Sequence, residues 1–103
     1  MTLTAAQRQA LLLQLLSDHL LGKCSQGELL RTLRKDVLGF SQTRYAEFTG
    51  ISRRTLSDIE QDRGSPAQTV INKVFKPFGL KAGLIPAQPQ ITEKLLAERE
   101  PKP

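Results

Sequence analysis

The chain has 103 residues, the length of one domain, and 39% of them are apolar, as in a small globular protein rather than a disordered or fibrous one. One cysteine and one histidine exclude an internal disulfide bond and a His/Cys zinc site, so a reduced, cytoplasmic setting is expected. The formal net charge is +5, and this excess lies in residues 23–81, which hold 11 basic and 6 acidic residues. Such localised positive charge favours a polyanionic partner. Charge that only keeps the protein soluble explains the same excess equally well.

The first predicted element is a leucine-rich helix in an accessory segment, residues 1–22. Thr4 and Gln7 have the spacing of a capping box, and Gly22 suits the left-handed conformation that follows a helix end. The leucines of residues 11–21 cover more than the ~100° stripe that one core-facing side needs. We therefore expect a second partner for this helix, either a dimer mate or more of the same fold. It is too short and too polar to cross a bilayer, and it lacks the basic start of a secretory signal.

A helix-turn-helix domain is predicted over residues 23–80. Its first helix runs from the capping box Ser25–Glu28 to Gly39. Two short helices follow, residues 42–48 and about 53–61, each capped by the serine before it. The apolar side chains expected in the core of this region are Tyr45, Ala46, Phe48, Ile51, Leu56 and Ile59.

A further helix is predicted to begin at Ser65-Pro66, with serine as the cap and proline at the first helical position. Pro77 is expected to kink or end it, because proline lacks the amide that an interior turn requires. The side chains that this helix is expected to bury are Val70, Ile71, Val74, Phe75 and Phe78.

The pattern changes after Gly79, and residues 81–86 predict a short strand. A lone strand is unstable and no other segment resembles one, so we expect it to pair with the same strand of a second subunit. The predicted dimerisation residues are Leu80, Ala82, Leu84 and Ile85. Residues 87–103 are predicted to form a flexible tail, with a helical pattern over 91–99.

The helix over residues 53–61 has apolar residues on one side only. Its other side carries the predicted base-reading residues, Arg53, Arg54, Ser57 and Asp58. This is the sequence form of a helix-turn-helix, whose outward face enters the major groove of DNA. An arginine bonds O6 and N7 of guanine with two hydrogen bonds. The alternatives are generic phosphate contact for the arginines and an intrahelical pair with Arg54 for Asp58.

A set of spaced residues over about 28–80 resembles the Cro/repressor-type (XRE) helix-turn-helix family: Gly39-Phe-Ser-Gln42, Ala46, Gly50-Ile-Ser52, Thr55-Leu-Ser57, Ile59-Glu60 and Pro66. The resemblance implies an all-α, five-helix DNA-binding domain that works as a dimer and regulates transcription, commonly as a repressor. The leading helix is additional to the family core. One extra residue precedes Gly39, so either Arg34 or Lys35 stands for the family's usual arginine and pairs with Glu60.

The same resemblance implies that Gln42 binds a DNA phosphate and braces the recognition helix, at a helix end whose partial charge is positive. Thr43 and Arg44 flank the groove from the preceding helix, and Arg63 follows in the loop. Together with Thr55 they make up the predicted phosphate-binding set. We expect the protein to read a palindromic double-stranded operator as a homodimer.

Residues 78–86 are similar to the C-terminal strand of one subgroup, the HipB-like antitoxins. That resemblance implies strand pairing between subunits, repression of the protein's own operon and binding of a kinase-like toxin, which is the alternative to a plain regulator. An RNA-binding or purely structural module has little support because aromatic stacking residues are scarce. Catalysis and cofactors are not expected, because there is no Ser/His/Asp arrangement, acid pair or glycine-rich phosphate loop.

Overall fold

The computed structural model describes residues 3–97, and all regular secondary structure in that range is helical. The α-helices are α1 (Ala5–Leu20), α2 (Gln26–Thr32), α3 (Gln42–Thr49), α4 (Arg53–Glu60), α5 (Gln68–Phe75) and α6 (Pro89–Ala97). A π-helical segment, Leu33–Leu38, continues α2, and a 3-10 turn, Lys76–Phe78, continues α5. The predicted all-α class is confirmed for the described residues.

Side-chain caps determine where the first four helices begin. The capping boxes of α1 and α2 form in full: the hydroxyl of Thr4 or Ser25 accepts a bond of 3.1 Å from the amide three residues on, and Gln7 or Glu28 accepts one of 2.9 Å in return. The serines before α3 and α4 accept similar bonds of 3.1 and 3.0 Å. These bonds satisfy amides that have no partner inside the helix. All four predicted starts are confirmed.

Helix α5 begins later than its sequence predicts. Its cap residue is Ala67, which has an extended backbone and makes no side-chain capping bond. Pro66 therefore precedes the cap instead of occupying the first helical turn, and the start predicted at Ser65-Pro66 is wrong. The predicted end is confirmed: the α-helix stops at Phe75, and Pro77 lies in the 3-10 turn that follows.

The predicted continuous helix to Gly39 changes form after Thr32. Residues Leu33–Leu38 are π-helical, and the backbone then turns at Gly39 with a φ of 70°. A π-helical segment is wider than an α-helical one and absorbs an additional residue. This accounts for the extra residue before Gly39. It also resolves the open alternative, because Arg34 is buried and pairs with Glu60 while Lys35 is exposed.

The core lies between α2, α3, α4 and α5. Its buried apolar side chains are Leu29, Leu30, Leu33, Tyr45, Ala46, Leu56, Ile59, Ile71, Val74, Phe75 and Phe78. Ile51 and Val70 are partly buried against this cluster. The prediction that Phe48 is buried is wrong, since 61% of it is exposed. Its ring instead lies at the surface, edge-on to that of Phe40 with centroids 5.7 Å apart.

Tyr45 joins α3 to α5 inside the core. It is fully buried, and its hydroxyl donates a hydrogen bond of 2.5 Å to the carbonyl oxygen of Val74. Burial, with a smaller contribution from the Glu60 charge, raises the pKa of Tyr45 well above its usual value. The side chain therefore remains a neutral donor, which satisfies a carbonyl near the end of α5.

The leucine-rich helix α1 packs on α2 and its π-helical extension without burying any residue fully. Leu12 and Leu15 pack against the core, whereas 58% of Leu13 is exposed. Part of the apolar surface of α1 is thus used by its own fold. The rest remains exposed in the single chain.

The strand predicted over 81–86 does not form in the described chain. The amide of Ala82 donates a bond of 2.8 Å to the side-chain oxygen of Asn72 in α5, and Leu80 and Ala82 pack against the core. The alternation therefore reflects packing on α5 and not a strand ladder. Leu84 is fully exposed and Ile85 is 47% exposed.

The segment predicted as a flexible tail, 87–103, contains helix α6. Thr92 in this helix is buried, at 5% exposure, whereas the other residues of 91–97 are exposed. The helical pattern over 91–99 corresponds to α6 as far as the description extends. Residues 98–103 lie outside the described range.

The start of α2 lies against the end of α4 with no room for a side chain. A Cβ atom on Gly27 would lie 2.5 Å from the carbonyl oxygen of Ile59 and 2.7 Å from that of Glu60. Asp62, which has a φ of 57°, accepts bonds from the amide of Gly27 at 2.9 Å and the hydroxyl of Ser25 at 2.6 Å. This contact fixes α4 against α2 at its C-terminal end.

Gly27→Ala should lower the free energy of unfolding by about 1–3 kcal/mol, because the added methyl must displace backbone rather than a flexible side chain. Urea unfolding followed by circular dichroism measures the change. Gly83→Ala is the matched control, since a Cβ there meets nothing within 4 Å. Equal stability of the two variants would contradict the close contact.

Candidate nucleic-acid interface

Helices α3 and α4 are joined by a tight turn. Helix α3 ends at Gly50, which has a φ of 75° in the left-handed region that favours glycine. The amides of Gly50 and Ile51 both donate to the carbonyl of Ala46, at 2.9 and 3.1 Å. Ser52 then caps α4 at once. The two helices and this turn have the form of a helix-turn-helix.

Helix α4 has one buried and one exposed side. Leu56 and Ile59 lie in the core, and Arg53 and Arg54 are exposed in the first turn. The other predicted base-reading residues, Ser57 and Asp58, are partly exposed. In the described range neither Arg54 nor Asp58 takes part in an ion pair, so the alternative of an Arg54–Asp58 pair is not formed.

Two hydroxyls of α4 already have local partners. Thr55 accepts a bond of 2.8 Å from the hydroxyl of Ser52, and its amide donates to the same hydroxyl at 3.0 Å. Ser57 accepts a bond of 3.0 Å from the side-chain amide of Gln61. Both threonine and serine act as acceptors in these bonds, so each retains its own O–H for a further acceptor.

A buried polar network holds α4 in position. Two guanidinium nitrogens of Arg34 donate to the carboxylate of Glu60 at 2.6 and 2.9 Å, and a third donates to the carbonyl of Phe40 at 2.7 Å. The side-chain amide of Gln42 donates to Glu60 at 3.0 Å. The network joins the extension of α2, the first residue of α3 and the last residue of α4. Gln42 thus contacts α4 through Glu60.

The remaining predicted phosphate contacts are exposed. The guanidinium carbon of Arg44 lies 3.9 Å from the centroid of the Phe40 ring, a cation–π contact that limits the freedom of its side chain. Thr43 and Arg63 are exposed, on α3 and in the loop after α4. The structure therefore leaves all three side chains accessible to a ligand.

The described residues do not favour a metal site, a membrane span or a reactive thiol. It contains no cluster of residues suited to a metal ion, and none of its helices is long and apolar enough to cross a membrane. Burial, followed by the charges of Glu28 and Asp18, raises the pKa of the Cys24 thiol above its usual value. A raised pKa disfavours the reactive thiolate.

Comparison with known proteins agrees with this geometry. The helix-turn-helix family profile matches residues 30–85, which is more than half of the chain. The chain belongs to the helix-turn-helix family. It is 36% identical over 64 residues to the HTH-type transcriptional regulator PuuR of Escherichia coli (strain K12), and equally to PuuR of Shigella flexneri. The match covers 62% of this chain and only 34% of each relative. No solved structure matches the chain significantly.

Sequence reasoning missed the contributions of Phe40 and Asp62. Phe40 supports Arg44 through its ring and Arg34 through its carbonyl, and Asp62 bonds to the start of α2. Asp62 is 35 residues from its partner Gly27, so the contact has no local signature. For Phe40 the available signal is its position four residues before Arg44.

Arg34→Met should lower the free energy of unfolding by about 3–5 kcal/mol, because it leaves the Glu60 carboxylate buried without its cation. The double variant Arg34→Met/Glu60→Leu should recover much of this loss by removing the orphaned charge. Urea unfolding measures both. Lys35→Met, the neighbouring exposed cation, should change stability by about 0.5 kcal/mol or less. A comparable loss in Lys35→Met would contradict the assignment.

Proposed function

We propose that the protein is a dimeric, sequence-specific DNA-binding regulator that represses transcription. The observation that carries the proposal is the division of α4, which buries Leu56 and Ile59 and exposes Arg53 and Arg54. Membership of the helix-turn-helix family supports DNA binding. The similarity to PuuR, a transcriptional regulator, supports regulation.

Arg53 and Arg54 read base edges in this proposal. Cations at a helix N-terminus oppose the helix dipole, and no acidic residue in the first turn of α4 offsets them. Their presence therefore does not favour stability, whereas a bidentate bond to guanine explains it. Ser57 and Asp58 lie further along the same helix. Asp58 accepts from a cytosine amino group.

Phosphate contacts supply affinity in the proposed complex. The residues assigned to them are Gln42, Thr43, Arg44, Thr55 and Arg63. Contacts of this kind fix the protein on the duplex without reading its sequence, and they make affinity depend on salt. The contact of Arg44 with the Phe40 ring favours this role, because a restrained side chain loses less entropy on binding.

A homodimer places two copies of α4 about one turn of DNA apart, roughly 34 Å, over a palindromic operator. Exposed apolar side chains support an interface: Leu13, Leu84, Ile85, Ile91, Leu95 and Leu96. Of the four predicted dimerisation residues, Leu80 and Ala82 pack on their own core, which leaves Leu84 and Ile85 for a partner. Dimer contact at these two side chains does not require a strand.

The features that support the antitoxin alternative are the strand predicted within residues 80–86 and the C-terminal tail. Because the described residues form no strand there, nothing in the structure favours a kinase-like toxin partner over a plain regulator. The regulator is therefore the better-supported function.

Arg53→Ala should relax base preference at one operator position by about 1–3 kcal/mol, because a bidentate base contact is lost. Arg63→Ala should instead weaken binding to all DNA sequences to the same extent. Sites are selected from random DNA with the wild-type protein, and the affinity of each variant is then measured for every single-base change. If both variants lost affinity uniformly, the assignment of Arg53 to base reading would be wrong.

Leu84→Glu should weaken self-association at least tenfold, because it buries a charge in an apolar interface without touching the monomer core. Sedimentation equilibrium measures the dissociation constant. Ala87→Glu adds the same charge at a nearby exposed position and should leave it nearly unchanged. An unaltered constant for Leu84→Glu would exclude this surface from the dimer.

A further inference from the structure

A basic pocket lies at the C-terminal end of α4. This concavity of about 410 Å³ is lined by Arg31, Arg34, Lys35, Gln42, Glu60 and Gln61. Three helical segments contribute to it: α2 with its extension, the start of α3 and the end of α4. Apart from Gln42, none of these residues is among the predicted DNA contacts.

Arg31 and Lys35 carry the charge of the basic pocket that is not neutralised. Arg34 is engaged by the Glu60 carboxylate and the Phe40 carbonyl, so its guanidinium is largely occupied. Arg31 and Lys35 are both exposed, and within the described residues neither forms an ion pair.

Two carboxylates outside the basic pocket share a second depression with these two cations. Glu28 and Asp36 border a separate depression with Arg31 and Lys35. Glu28 accepts a bond from the amide of Ser25 in its capping box, and Asp36 forms no ion pair in the described range. The cations are therefore available to an external anion.

The position of the basic pocket suits a DNA phosphate. Arg53 and Arg54 occupy the N-terminal end of α4, and the basic pocket borders its C-terminal end. The eight residues of α4 span roughly 12 Å at 1.5 Å per residue, about the width of the major groove that would receive the helix. Backbone phosphates line both edges of that groove. A cationic pocket at one end of α4 thus lies where such an edge passes.

We propose that Arg31 and Lys35, together with Gln42, hold one backbone phosphate of bound DNA in the basic pocket. The inference rests on the proposed function and deepens it by adding two contacts to a site where Gln42 alone is expected. The π-helical segment contributes directly. It turns Arg34 inward to Glu60 and leaves Lys35 exposed beside Arg31.

The test compares Arg31→Gln/Lys35→Gln with the control Lys23→Gln/Lys73→Gln, which removes the same charge at exposed positions outside the basic pocket and outside the proposed dimer contact. Affinity for the selected operator is measured by fluorescence anisotropy at several salt concentrations. Loss of one phosphate contact should make the slope of log K against log salt shallower by about 0.9. The control slope should remain that of the wild type, and base preference should be unchanged in both variants.

Neutral methylphosphonates placed singly along the operator backbone locate the contact. One position should weaken binding of the wild type and the control but have a much smaller effect on Arg31→Gln/Lys35→Gln, in which only Gln42 still contacts that phosphate. The inference would be overturned if a methylphosphonate at every position weakened operator binding of all three proteins alike. It would also be overturned if the salt slope of Arg31→Gln/Lys35→Gln equalled that of the control. In both cases the proposed function would stand. Failure of the wild type to prefer its operator over random duplex would instead reject the proposed function. Circular dichroism melting checks that both double variants fold.

Discussion

The position of helix α4 depends on the buried contact between Arg34 and Glu60. Their side chains are 7% and 2% exposed, with 2.6 Å between the closest charged atoms. Either charge alone would be strongly destabilising at such a site, so each requires the other. Glu60 is the last residue of α4, and its remaining bond is to Gln42 at the start of α3. The pair therefore ties the C-terminal end of α4 to the extension of α2 and to the start of α3.

The π-helical extension of α2 carries the arginine of this contact. Adjacent residues of a helix point in directions roughly 100° apart, so Arg34 and Lys35 cannot both face Glu60. In the π-helical segment it is Arg34, and not Lys35, that lies on the buried side. Sequence alone leaves the two equivalent, because they are adjacent cations and the choice depends on local helix geometry that has no compositional signal.

Local chemistry was predictable and long-range packing was not. The caps at Thr4, Ser25, Ser41 and Ser52 follow from contacts three residues apart, and each is present. The one-sided apolar pattern of α4 likewise predicts which residues are buried. By contrast, the alternation after Gly79 arises from packing on α5 and a bond to Asn72, ten residues away from its partner Ala82. The alternation of apolar and polar residues after Gly79 is therefore typical of a strand, although no strand forms there in the described chain.

The exposure of Phe48 and the docking of α6 also depend on distant elements. Phe48 fits an apolar position of α3, yet the core beside it is filled by Tyr45 and Phe78, whose rings stack 6.1 Å apart. Proline-rich composition suggested a loose segment after residue 86. It did not reveal that Thr92 would be covered by the fold.

Helix α4 is stabilised by its packing on the core and not by its own sequence. Eight residues are too few for a stable isolated helix. Each arginine in its first turn costs about 0.3–1 kcal/mol against the helix dipole. Full burial of Leu56 and of Ile59 contributes roughly 1.5–3 kcal/mol each, which exceeds that cost. The two cations are therefore tolerated because the opposite side of the helix is anchored in the core, and the surface most suited to DNA is the one that contributes least to folding.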